Sequence, residues 1–143
     1  MRSYSPRRGF TLLELLLVLV ILAALTYMVV PRFSGRARKA KIAAARTDVL
    51  LNIPAALDMY ELDNGAFPTT EQGLGALIEP PSTEPLPPGW DGPYVRRPIV
   101  PKDPWGKPYL YRSPSPRKGL DYELISAGPD GVELTTDDIT NWE

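Results

Sequence analysis

Cysteine and histidine are both absent from the 143 residues. Without thiols there is no disulfide framework, and without either residue there is no Ser-His-Asp or Cys-His nucleophile and no His/Cys zinc cage. Most familiar catalytic designs are excluded with them. Mixed charge is missing as well. Residues 1–46 carry nine Lys or Arg against the single acid Glu14, a balance of +8, and residues 47–143 carry seven against sixteen, a balance of −9, which together give the net −1. The two stretches are made for different surroundings. Gly (11) and Pro (17) make about a fifth of the chain, below the share that signals disorder, and the length leaves room for one domain and little more. No internal repeat is present.

What the chain does have is one long apolar run. Phe10 to Val30 reads FTLLELLLVLVILAALTYMVV, 21 residues, or about 31 Å of helix against a hydrocarbon core of about 30 Å. A secretory signal or a plain membrane anchor would share the run and the basic start at Arg2, Arg7 and Arg8. No A-x-A triplet closes it, however; the first, Ala43 to Ala45, lies beyond the following basic segment. Glu14 is the departure from both readings, because an acid inside a membrane segment costs about 2.5–3.5 kcal/mol unless it is wet or paired. Either it lies close to the headgroups or it waits for a cation. The run itself holds no Lys or Arg, so that cation comes from another chain or from a newly made α-amino group.

Arg7-Arg8-Gly9-Phe10-Thr11-Leu12-Leu13-Glu14, followed by the apolar run, resembles the class III leader of type IV pilins and pseudopilins. The resemblance implies that a prepilin peptidase cuts between Gly9 and Phe10, that the new Phe10 amine is N-methylated, and that the apolar helix stays on the mature subunit. It further implies that Glu14 meets the N-terminal amine of a neighbouring subunit during assembly. A misplaced subunit would leave that charge unpaired in a low-dielectric bundle, so the pair sets register more than stability. Charge alone does not orient the anchor, since Arg2, Arg7 and Arg8 compete with Arg32, Arg36, Arg38, Lys39, Lys41 and Arg46. The family pattern implies a cytoplasmic N-terminus and a periplasmic C-terminal part.

After Pro31, expected to bend the helix rather than end it, Ile42, Val49, Ile53, Leu57 and Tyr60 recur at helical spacing. This predicts an amphipathic continuation over 31–62, kinked at Pro54 and stopped by Asp63-Asn64-Gly65. Its basic first part is exposed or leans toward anionic headgroups and neighbouring subunits. Residues 80–116 hold twelve of the seventeen prolines, yet Trp90, Tyr94, Trp105, Tyr109 and Tyr111 among them argue for a docked loop rather than a linker. Alternating runs at 108–112 and 122–126 predict paired antiparallel strands. LDMYELDNGAFPTTEQGLGA at 57–76, WDGPY at 90–94 and DPWGKPY at 103–109 resemble type II secretion major pseudopilins.

Residues 121–143 contain seven acids and no Lys or Arg. Hard oxygen donors without His or Cys suit Ca²⁺, although the spacing is not that of an EF-hand, and a solvated acidic tail fits the pattern alone equally well. SAGPDG followed by DDITNW resembles the calcium loop of the same pseudopilins. That resemblance places Asp130, Asp137 and Asp138 as carboxylate ligands and Ala127 and Val132 as carbonyl donors, with Glu133 to Thr136 less glycine-rich than the pattern.

The reading is therefore an α+β, type IV pilin-like chain: a leader over 1–9, a transmembrane and fibre-core helix over 10–30, its amphipathic continuation over 31–62, and a globular part over 63–143 with a small antiparallel sheet, long loops and a calcium loop. The resemblance implies a non-enzymatic subunit that polymerises with itself into a periplasmic fibre for export of folded proteins. Its implied partners are prepilin peptidase, minor pseudopilins, the inner-membrane secretion platform and the membrane, with no nucleic acid. The competing expectations are a type IV pilin for adhesion or motility, which more often closes its C-terminal loop with a disulfide, a simple anchored binding module, and a membrane-anchored calcium-dependent hydrolase, for which no paired acid and base is at hand.

Overall fold

Helix α1 runs over Leu12–Thr47, opened by Thr11, whose hydroxyl accepts the Glu14 N–H at 3.2 Å. The computed structural model describes residues 9–142 and, within them, only the backbone of 28–34. Residues 1–8 of the leader expected over 1–9 and the acid Glu143 lie outside the described residues. The chain divides into two units, one ending at Ala37 and the other beginning at Arg38.

In the first unit the side chains from Phe10 to Tyr27 are exposed, among them Leu12 at 82%, Leu13 at 77% and Leu19 at 67%. Among the described residues no helix is long and apolar enough to cross a membrane. The span expected over 10–30 includes Met28, Val29 and Val30, whose side chains are outside the description.

The second unit is built on a helical rod. After α1 comes a π-helical turn, Asp48–Asn52, in which the Ile53 N–H returns to the Asp48 carbonyl, and then α2, Ile53–Asn64, with Pro54 in its first turn. The widened turn is how the rod admits the proline, which has no N–H to give and whose ring crowds the preceding carbonyl. Gly65 ends α2 in the left-handed region, φ 78°, its N–H closing on the Glu61 carbonyl at 2.7 Å.

One stripe of the rod, Ala45, Val49, Ile53, Ala56, Leu57 and Tyr60, is buried, with Ile42 partly so. Against it pack Leu74, Ala76 and Leu77 of a 3₁₀ turn, Gly73–Leu77, and Tyr109, Tyr111, Tyr122, Leu124 and Ile139 from and beside the sheet. That sheet has three antiparallel strands in chain order, β1 Leu110–Arg112, β2 Glu123–Ser126 and β3 Ile139–Thr140. The two alternating runs pair antiparallel as expected, with Tyr111 opposite Leu124. The proline-rich segment is docked: Trp90 donates its Nε1–H to the Ala76 carbonyl at 2.8 Å, and Gln72 Nε2 donates to the carbonyls of Thr83 and Pro85, both at 2.9 Å.

Burial holds the phenols of Tyr109, Tyr111 and Tyr122 protonated above their ordinary range, with Tyr122 pushed up to about 12 by desolvation first and then by the charges of Asp58, Asp121 and Glu61. A raised folded value stabilises in full below the unfolded value near pH 10 and is lost as the pH climbs through the folded one. Denaturant midpoints are accordingly expected to fall above about pH 10, by up to about 1.4 kcal/mol per pH unit for each such tyrosine. A midpoint flat to about pH 11 would show that these phenols ionise without unfolding.

Candidate functional site

The N-terminal group is set by a capping arrangement. Thr11-Leu12-Leu13-Glu14 has the S/T-x-x-E spacing, and the Glu14 N–H is shared between the Thr11 carbonyl at 3.1 Å and its hydroxyl at 3.2 Å. Glu14 thus lies in the first helical turn, where its negative charge suits the helix dipole. Among the described residues it has no cationic partner. Gly9 and Phe10 are exposed just ahead of that turn, and nothing lies within 4 Å of a Cβ built on Gly9. The position at which the resemblance implies cleavage is open on this side.

The acidic loop follows β2. Ala127 is buried just past the end of the strand, while Gly128, at φ 63°, is where the chain crosses the far limb of the loop: a Cβ there would run into the carbonyl oxygen of Asp137. This crossing brings Asp130 and Asp137 together. The Asp130 N–H donates to Asp137 Oδ2 at 3.2 Å, and Asp130 Oδ1 accepts the Val132 N–H at 2.8 Å. The Thr135 hydroxyl lies between the other pair, 2.7 Å from Asp137 Oδ1 and 3.4 Å from Asp138 Oδ1, and 3.2 Å from the Val132 carbonyl. Asp138 Oδ2 accepts the N–H of Leu134, which sits at φ 65°, an uncommon position for a branched residue. The Thr135 hydroxyl above all holds the Asp137 carboxyl below its ordinary range, against desolvation and with further help from the N–H of Asp130.

All five residues expected as ligands therefore fall in one loop, and their oxygens are of the hard kind that Ca²⁺ takes. Their carboxylates are turned to the loop's own donors. Among the described residues, no group of three or more acids is gathered so that it could hold a metal. The donor chemistry and the glycine crossing fit the ion, and the present hydrogen bonds of Asp130, Asp137 and Asp138 are ones it would have to replace.

One polar anchor escaped the sequence reading. Asp103 is buried, 4% exposed, and its Oδ1 accepts the N–H groups of Trp105 at 3.0 Å and Lys107 at 2.8 Å while Oδ2 accepts the Ser126 hydroxyl at 2.9 Å. Ser126 Oγ in turn accepts the Gly128 N–H at 3.3 Å. The carboxylate thus ties the aromatic DPWG loop to the root of the acidic loop. Asn141 extends β3 in the same way, accepting from the Leu124 N–H at 2.9 Å and donating to the Tyr122 carbonyl at 3.1 Å.

Comparison with known proteins gives the same two parts. Residues 4–29 match the prokaryotic N-terminal methylation motif, and residues 32–142 match the family described as type II secretion system (T2SS), protein G. The type II secretion system core protein G of Escherichia coli K12 is 45% identical over 143 residues, covering 99% of this chain and 95% of the relative. That of Pseudomonas aeruginosa is 46% identical over 140 residues, with 94% of each covered. The crystal structure of the major pseudopilin from the type 2 secretion system of enterohaemorrhagic E. coli superposes with a TM-score of 0.65 at 44% identity, covering 80% of this chain and 96% of that one. The helical rod, the three short strands and the loops wrapped on them are the pilin-like α+β architecture of that neighbour. With its leader motif, its second unit and nearly its whole length matched, the chain belongs to the type II secretion system protein G family.

Proposed function

We infer that the chain is the structural subunit of a type II secretion pseudopilus, anchored by its apolar helix and polymerised with copies of itself into a periplasm-facing fibre. The observation that carries the reading is the first unit: from Phe10 to Leu25 the large apolar side chains are exposed, with one acid in the first turn. Such a surface needs a bilayer or other copies to cover it. Leader removal between Gly9 and Phe10 supplies an α-amino group, and Glu14 is its counter-charge on the next subunit. The N-terminus then faces the cytoplasm and the second unit the periplasm, with prepilin peptidase, minor pseudopilins and the inner-membrane platform as partners. The role is non-enzymatic, a reading supported by the structural family and by the lack of Cys and His.

Glu14→Gln tests this, because it keeps the first-turn position while removing the charge. Processed subunits, recognised by a mass beginning at N-methylated Phe10, are expected in normal amount, with fibre yield reduced at least about tenfold, the equivalent of losing one buried charge pair's register. Normal fibres from Glu14→Gln would overturn the pairing role, and a mature chain that retained residues 1–9 would overturn the pseudopilin reading itself.

We further propose that Ca²⁺ closes the acidic loop, held by Asp130, Asp137 and Asp138 with the carbonyls of Ala127 and Val132. In a small exported domain without cysteine, the ion supplies charge neutralisation and a cross-link between loop limbs. A site filled to about 100 times its dissociation constant adds about 2.7 kcal/mol, so the melting midpoint of the full chain in detergent is expected to rise with calcium and fall back with chelator. Asp137→Ala should abolish the rise. An equal midpoint with calcium and with chelator would leave the loop closed by its own hydrogen bonds alone.

A further inference from the structure

Between Glu14 and Asp48 the chain has no acid, and the stretch just past the apolar run is basic. Within the second unit, Arg38, Lys39, Lys41 and Arg46 are all exposed, and none makes an ion pair among the described residues, where both salt bridges end on Glu123. At about 100° per helical residue, Lys39 and Arg46 lie about 100° and 80° to one side of Arg38 and Lys41 about 60° to the other. The cations are fanned over nearly half the circumference. The residues between them are small: Ala40, Ala43 and Ala44 are exposed, and Ile42 is the one large apolar side chain in 37–46.

That composition separates two occupants. A protein partner would need aromatic or large apolar anchors at the centre of its contact, and Lys and Ala are the residue types depleted there. An anionic surface needs only long flexible cations facing several directions, each favouring it by about fivefold. We propose that Arg38, Lys39 and Lys41 bind the anionic phospholipid headgroups of the leaflet from which the second unit emerges. The proposal rests on the anchored reading above. Spacing along the chain agrees with it: Arg38 follows the last residue of the apolar run, Val30, by only eight positions, and long basic side chains snorkel toward a headgroup layer. Leader cleavage sharpens it, because Arg2, Arg7 and Arg8 leave with residues 1–9 and the basic side chains of the mature chain near the apolar run are then all on its C-terminal side, with only the new α-amino group on the other. The headgroups act as a latch that holds a processed subunit in the bilayer until assembly lifts it out.

The chain has no cysteine, so Ala40→Cys gives a single labelling site in the full protein. The labelled chain is placed, one per disc, in nanodiscs of phosphatidylcholine with or without phosphatidylglycerol, and quenching of the dye by neutral acrylamide is measured. Phosphatidylglycerol is expected to lower quenching at least about threefold, with recovery in about 1 M salt, where the screening length is about 3 Å, and in the Arg38→Gln, Lys39→Gln, Lys41→Gln variant. Equal quenching in both lipids overturns the proposal, as does an effect that survives in the triple variant. Protection that appears only in discs holding two chains assigns the cations to a second copy and overturns it too. Flotation with phosphatidylcholine vesicles is read on the same sample: a chain that does not float overturns the anchored reading first, whereas one that floats with unchanged quenching overturns the headgroup site alone.

Discussion

Replacing Asp103 by alanine is expected to cost the second unit about 3–5 kcal/mol, a large share of the total for a domain of this size, and to lower its melting midpoint by more than about 10 °C. The size follows from what is left behind. Removing the carboxylate leaves the N–H groups of Trp105 and Lys107 and the hydroxyl of the fully buried Ser126 without their acceptor, and opens a void among them. Each stranded donor carries a desolvation penalty of about 1–3 kcal/mol, only partly relieved by entering water. Asp103→Asn should be milder, about 1–2 kcal/mol, because its amide oxygen still serves the two backbone donors while the Ser126 hydroxyl alone loses its acceptor. Denaturant titration of both variants settles the order. Equal losses for Asn and Ala would mean that the negative charge, rather than the acceptor geometry, is what the site needs.

That anchor also marks the limit of what the chain discloses before folding. In DPWG an aspartate reads as an exposed turn residue, and its burial depends on Ser126, 23 positions away. Local patterns fared differently. The stripe of Val49, Ile53, Leu57 and Tyr60, the stop at Gly65 and the antiparallel pairing of the two alternating runs are each written in local repeats or one strand length, where periodicity decides. The place of the third strand is not legible, since Ile139–Thr140 is too short to show alternation and is held largely by its pairing to β2 and the Asn141 side chain beside it. That Pro54 disturbs the helix was legible, and the form of the disturbance was not: the rod takes up the proline through the wider Asp48–Asn52 turn. In the acidic loop, spacing alone pointed to no ligand set; the family resemblance named residues that fall in one loop, and their orientation was not legible. Whether Asp138 faces an ion or the Leu134 N–H is decided by the backbone of Leu134, whose left-handed conformation no propensity would assign to leucine.

Gly128→Ala is expected to be the most damaging single change in that loop, at about 3–5 kcal/mol, while Gly131→Ala should cost only about 1 kcal/mol. Both glycines have positive φ, 63° and 66°, so both substitutions meet the same steric penalty of the left-handed region. What differs is the neighbour. A Cβ on Gly131 approaches the Lys107 Cε at 3.3 Å, the far end of a flexible exposed side chain that can swing away. A Cβ on Gly128 runs into the backbone carbonyl of Asp137, which can retreat only by moving the whole limb that carries Thr135, Asp137 and Asp138. The movement would break the Asp130 N–H bond to Asp137 and pull on the Gly128 N–H bond to Ser126, hence on the Asp103 anchor beneath. The consequence reaches function through the proposed ion: a loop whose limbs no longer cross at Gly128 cannot present Asp130 and Asp137 to one cation. Gly128→Ala should therefore lose any calcium-dependent rise in melting midpoint that the parent and Gly131→Ala display. Equal stability of the two alanine variants would refute the close crossing as the reason for glycine at 128.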